Sequence, residues 1–124
     1  MKKVLLTILT ATLLMAAPMA ASAADSVSDM ANIVINLNHY PTDAEKKVLA
    51  AIVADADSTV GEKVLAGALM RMQHRVEGGD AEKLRSLASD KMATAQEQEL
   101  AEILLGIAHH PSASDMKRLK MMAP

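Results

Sequence analysis

The sequence has no cysteine, tryptophan or phenylalanine, and Tyr40 is its one tyrosine. Without cysteine the chain can form no disulfide, no thiolate metal site and no thiol nucleophile. Binding of bases by stacking is also excluded, because one tyrosine is too small a platform. The formal net charge is only −2, so we expect no nucleic-acid partner.

Catalytic motifs are lacking too. The chain has no phosphate-binding glycine loop, no nucleophile elbow and no paired histidines of the helical zinc-protease type. No nucleophile or acid–base pair stands out from the remaining polar residues. We therefore predict a non-enzymatic protein without a cofactor. Because 51% of its residues are hydrophobic, we expect it to be folded.

The first residues resemble an export signal. Lys2 and Lys3 precede an apolar run over residues 4–17, and small residues over 20–24 follow Pro18. This order is typical of a secretory leader, and cleavage after Ala23 is predicted. A membrane-spanning helix needs roughly 20 apolar residues, more than this run supplies. We expect a periplasmic or secreted domain over residues 24–124 with no membrane span.

Capping patterns predict six helices. A side-chain oxygen followed three residues later by a carboxylate satisfies the free amides of a first helical turn. This pattern occurs at Ser26/Asp29, Thr42/Glu45, Thr59/Glu62, Thr94/Glu97 and Ser112/Asp115. Asp80 is predicted to cap the remaining helix. The predicted helices span 27–38, 43–55, 60–76, 81–90, 95–109 and 113–122, so long and short helices alternate.

An apolar pattern recurs at an interval of 35 residues. Its equivalent positions include Met30, Leu65 and Leu100. Two helices in each unit predict stacked helical hairpins in which neighbours bury one another's apolar faces. The period is similar to that of tetratricopeptide arrays, but the aromatic and glycine positions of that pattern are not matched. The alternative is a compact helical bundle, and both architectures are all-α.

Three histidines follow the same interval: His39, His74 and His109. At the ends of long helices they are expected to interact with exposed carbonyls and the helix dipole. The alternative is a metal site formed by these residues with His110. Packed helices lie about 8–10 Å apart, so we expect three equivalent positions on a stack to lie too far apart for one ion. Met116, Met121 and Met122 extend this alternative to copper.

Basic residues concentrate on the three predicted short helices. The candidates for a partner-binding surface are Lys46, Lys47, Lys83, Arg85, Lys117 and Arg118. If those helices share one face, that face would attract an acidic protein segment or an anionic envelope polymer. The first functional hypothesis is therefore an exported interaction module. The second is a periplasmic metal-handling or metal-stress protein that uses histidine and methionine.

Overall fold

A computed structural model describes residues 23–124, and it confirms the all-α class. The six helices of this segment are α1 (Ala23–Ile35), α2 (Asp43–Ala54), α3 (Val60–Arg71), α4 (Gly78–Ala88), α5 (Ala95–Gly106) and α6 (Ala113–Met122). The predicted leader lies outside the described residues, apart from Ala23. Within residues 23–124, no helix has the length and apolar character needed to cross a membrane.

Four helices begin where the capping patterns predict. The hydroxyls of Thr42, Thr59, Thr94 and Ser112 each accept a hydrogen bond from the backbone amide three residues later. The other two predicted caps are wrong. Helix α1 begins at Ala23, which places Ser26 inside the helix and buries it. Helix α4 begins at Gly78, so Asp80 lies in its first turn.

Helices α1, α3 and α5 end earlier than predicted. Their last residues are Ile35, Arg71 and Gly106, and the histidines therefore lie in the following loops rather than at helix ends. The difference between each predicted long helix and the short helix that follows it is only one or two residues. Helix α3 has 12 residues and α4 has 11.

The core lies between α1, α3 and α5, which contact one another. Met30, Leu65 and Leu100, one from each of these helices, are fully buried. Burying a side chain of this size contributes about 1.5–3 kcal/mol relative to leaving it exposed. Aliphatic contacts therefore supply the packing that aromatic rings provide in other domains.

The outer helices close the arrangement. Helix α2 packs against α3, α4 packs against α5, and α6 packs against α1. Because the last helix returns to the first, the six helices form a compact bundle rather than an open stack of hairpins. Closure also brings the loops after α1, α3 and α5 to one end of the bundle, where their backbones are hydrogen-bonded to one another.

Candidate metal centre

Each loop that follows a central helix holds its histidine in an unusual backbone conformation. The φ angles are +70° at His39, +68° at His74 and +70° at His109. In each loop the amide after the histidine donates to the carbonyl before it, as from Tyr40 to Asn38 at 2.9 Å. This is a γ-turn of the positive-φ type, which is rare and strained. Strained backbone of this kind is concentrated at functional sites.

The backbones of the three histidines hold one another in a closed cycle. His39 N–H donates to the carbonyl of His109 at 3.0 Å, and His74 N–H donates to that of His39 at 2.9 Å. His109 N–H completes the cycle by donating to the carbonyl of His74 at 2.7 Å. Every hydrogen bond of the cycle joins two loops. The three histidines are thus fixed relative to one another before any ligand binds.

Buried residues anchor the same loops to the core. Leu37, Met72 and Ile107 lie two residues before the histidines and are at most 5% exposed. Pro41 and Pro111 are buried two residues after His39 and His109. Apolar packing on one or both sides of each histidine therefore resists movement of the loop, and the strained turn is held in place.

The side chains of the three histidines converge on one point. The distances between Nδ1 atoms are 3.1 Å from His39 to His74, 3.0 Å from His39 to His109 and 3.1 Å from His74 to His109. Neighbouring ring centroids lie 4.9–5.0 Å apart, with interplanar angles of 71–78°. The Nδ1 atoms are thus closer together than the ring centres, as expected of three rings directed at a shared centre.

This triangle has the size of a three-histidine zinc site. Its Nδ1 atoms lie about 1.8 Å from their common centre. Zn–N bonds are about 2.0 Å long, so the three Nδ1 atoms could hold one zinc ion. A zinc ion held by three protein ligands would keep a fourth position open for water or another ligand. His74 and His109 are exposed, so solvent reaches the cluster.

The electrostatics of the cluster favour the neutral form of His109, which can act as a ligand. Loss of hydration lowers the pKa of His109, and the neighbouring charges of His39, His74 and His110 lower it further. A neutral imidazole can present the Nδ1 lone pair to an ion. The three Nδ1 atoms lie within 3.1 Å of one another, and a cation at their centre would be attracted by the lone pair of each nitrogen that carries no proton.

The expectation that these histidines lie too far apart to share an ion is wrong. It applied the spacing of packed helices, whereas the side chains extend from loops at a closed end of the bundle. The recurrence at 35 residues was the available sequence signal, but closure of the bundle is needed to interpret it. His110 is outside the cluster, and its Nδ1 lies 3.1 Å from the carbonyl oxygen of Pro111.

The late methionines occupy different environments. Met122 is 6% exposed and belongs to the apolar core, and Met116 is half-buried against that core. Met121 is exposed on α6. Packing accounts for the first two side chains without a metal.

The predicted partner-binding residues lie on α2, α4 and α6, which do not contact one another. Lys47, Lys83, Arg85 and Lys117 are exposed, while Lys46 is half-buried. Arg118 forms ion pairs with Glu99, Glu102 and Asp115 at 2.8–3.4 Å. Binding of an acidic partner by these residues stays a prediction.

No protein-family model, curated protein or solved structure matches this chain. Among the histidine and carboxylate side chains of residues 23–124, these three histidines lie close enough together to hold one metal ion. They are therefore the candidate functional site.

Proposed function

We propose that the protein binds a transition-metal ion through the Nδ1 atoms of His39, His74 and His109, and that metal handling in the cell envelope is its function. The observation that carries this proposal is the Nδ1 triangle with sides of 3.0–3.1 Å. The export that this function requires is inferred from the leader-like residues 1–23.

Zn²⁺ is the first candidate ion. Imidazole nitrogen suits Zn, Cu, Ni and Fe, whereas Mg and Ca prefer oxygen ligands. A structural zinc site has four protein ligands, whereas three with an open position allow exchange of the fourth ligand. Because His74 and His109 are exposed, an ion can reach the cluster from solvent and leave it again, as metal handling requires.

Isothermal titration calorimetry of the metal-free protein with Zn²⁺ tests the proposal. We expect one ion per chain, and His74→Ala should weaken binding by at least about 100-fold. That loss exceeds the 10–100-fold typical of removing an outer partner of a ligand. Circular dichroism of the variant establishes that the helices remain.

His110→Ala is the matched control, because it removes a neighbouring imidazole that is outside the cluster. Its affinity for Zn²⁺ should stay within about twofold of the wild type. Equal losses in His74→Ala and His110→Ala would contradict the assignment of the ligands, and absence of Zn²⁺ binding by the wild type would overturn the proposal.

A further inference from the structure

A surface hollow of about 520 Å³ adjoins the histidine cluster, and His74 is part of its lining. The other lining residues are Tyr40, Lys46, Met70, Arg71, Met72 and Gln73. The hollow thus combines apolar side chains with two cationic groups, and it has no acidic residue in its lining. His74, a proposed metal ligand, forms part of its wall.

The two cationic groups differ in their partners. Arg71 is paired with Asp80, at 2.6 Å between Nη2 and Oδ1. The Nζ of Lys46 lies 5.9 Å from the ring centroid of Tyr40. In the part of the chain that the structure describes, no carboxylate lies within ion-pair distance of Lys46. Lys46 therefore keeps its charge available for an anion.

A second hollow beside the cluster has a different charge balance. It measures about 340 Å³ and is lined by residues that include His74, His109, Arg75 and Glu77. Arg75 and Glu77 form an ion pair at 2.7 Å, so the arginine is already neutralised. Of the two hollows, the one that contains Lys46 is the better site for an anion.

We propose that this hollow binds a small organic carboxylate whose oxygen takes the open position of the metal. The inference rests on the proposed function, because the metal supplies one of the two contacts to the anion. The ammonium group of Lys46 supplies the other. The apolar part of the ligand lies against Tyr40 and Met70, and this contact distinguishes an organic carboxylate from a small inorganic anion.

The visible absorption spectrum of bound Co²⁺ reports on the open coordination position of the metal, because the spectrum changes when the ligands of the ion change. The Co²⁺-loaded protein is titrated with benzoate and, separately, with acetate. We expect a saturable spectral change with benzoate, and about tenfold weaker binding of acetate because acetate lacks the ring that contacts the hollow.

The matched variants are Lys46→Ala and Lys47→Ala, on the same helix. Lys46→Ala should weaken benzoate binding about tenfold, the size of one charge-assisted contact. Lys47 does not line the hollow, so Lys47→Ala should change the affinity for benzoate by no more than about twofold. Affinity for Co²⁺ itself should be unchanged in both variants, since neither lysine is a ligand.

The outcomes separate this inference from the proposed function. If Co²⁺ binds but benzoate leaves its spectrum unchanged, the carboxylate site is wrong and the metal site stands. Equal benzoate binding by the wild type and Lys46→Ala, or equal affinity for benzoate and acetate, would show that the hollow plays no part. If the protein binds neither Zn²⁺ nor Co²⁺, both proposals fail.

Discussion

The backbone angle of the three histidines shows a conflict between local preference and site geometry. A residue with a Cβ atom is disfavoured at a φ near +70° by about 1–2 kcal/mol, and yet each position carries histidine rather than glycine. Glycine would be the better residue for the turn, but it offers no ligand. Under the proposed function, the need for an imidazole ligand accounts for a bulky side chain in this strained conformation.

This conflict predicts an unusual order of stabilities. In the metal-free protein, His74→Gly should be more stable than His74→Ala by about 1 kcal/mol, because alanine keeps the Cβ and glycine removes it. Urea unfolding in the presence of a chelator measures the difference. The same comparison at exposed Ala50 within α2 should have the opposite sign, with glycine less stable by about 1 kcal/mol. An alanine variant at 74 as stable as the glycine variant would show that the turn is unstrained.

The side chain of buried Glu97, in the first turn of α5, is hydrogen-bonded to Thr59, the residue that caps the start of α3. Glu97 is 2% exposed, and one of its carboxylate oxygens accepts a hydrogen bond of 2.9 Å from the hydroxyl of Thr59. The Thr59 hydroxyl also accepts from the amide of Glu62 at 3.0 Å. The Thr94 hydroxyl caps α5 by accepting from the amide of Glu97 at 3.1 Å. Thr59 thus serves both as a cap and as a partner of a buried carboxylate.

We expect Thr59→Ala to cost more stability than Thr94→Ala. Loss of either cap costs about 1 kcal/mol, and loss of a hydrogen bond to the buried carboxylate adds about 1–3 kcal/mol at Thr59. Denaturant unfolding of the two variants measures the difference. Thr59→Ser retains the hydroxyl and should recover most of the loss. Equal costs at 59 and 94 would mean that the contact with Glu97 contributes nothing.

At the scale of helices, the sequence predicts starts better than ends. Capping by Thr42 or Ser112 depends on residues three positions apart, so the pattern is visible in the sequence. The ends of α3 and α5 depend on tertiary structure instead, because Met72 and Ile107 leave the helix with extended backbone in order to reach the core. Apolar periodicity continues through both positions, and for this reason the predicted helices are too long.

An ion pair ties the end of α3 to the start of α4. The Nε and Nη2 atoms of Arg71 donate to the two carboxylate oxygens of Asp80 at 2.8 and 2.6 Å. The hydrogen bonds from Arg71 lower the pKa of Asp80, and its charge and that of Lys83 lower it further. Because the pKa of Asp80 in the folded protein lies below its ordinary value of 3.8, the stabilisation is present above pH 3.8 and is lost as the pH falls through the folded-state pKa.

The corresponding prediction concerns Asp80→Asn. At pH 7 the variant should be less stable by about 0.5–1 kcal/mol, a modest value because Arg71 is largely exposed. The difference should shrink in a series of thermal melts from pH 7 to pH 2.5, because the wild-type carboxylate is protonated as the pH falls through its lowered pKa. Asp90→Asn, at an exposed acidic residue without an ion pair in residues 23–124, is the control. A difference that stays constant from pH 7 to pH 2.5 would mean that the carboxylate charge is not its cause.

At the scale of the molecule, the candidate site depends on closure of the bundle. The sequence displays the recurrence of His39, His74 and His109, but convergence requires α1, α3 and α5 to contact one another. Those contacts join residues far apart in the chain, and no local pattern encodes them. The residue types of the site were therefore visible in the sequence, whereas their distances required the tertiary structure.

Because the site joins three loops that follow three different helices, metal binding should stabilise the whole fold. Zn²⁺ at 100 times its dissociation constant should add about 2.7 kcal/mol to the free energy of unfolding, provided that the unfolded chain does not bind it. Thermal melts at pH 7.5 should shift upward in one transition, and a chelator should reverse the shift. At pH 5 the shift should shrink, because protons compete with the metal for the imidazole nitrogens. The lowered pKa of His109 keeps that ligand neutral to lower pH than an ordinary histidine.

His110→Ala should reproduce the wild-type shift at both pH values. A shift of equal size at pH 5 and 7.5, or one that survives in His74→Ala, would place the ion on other ligands than these imidazoles.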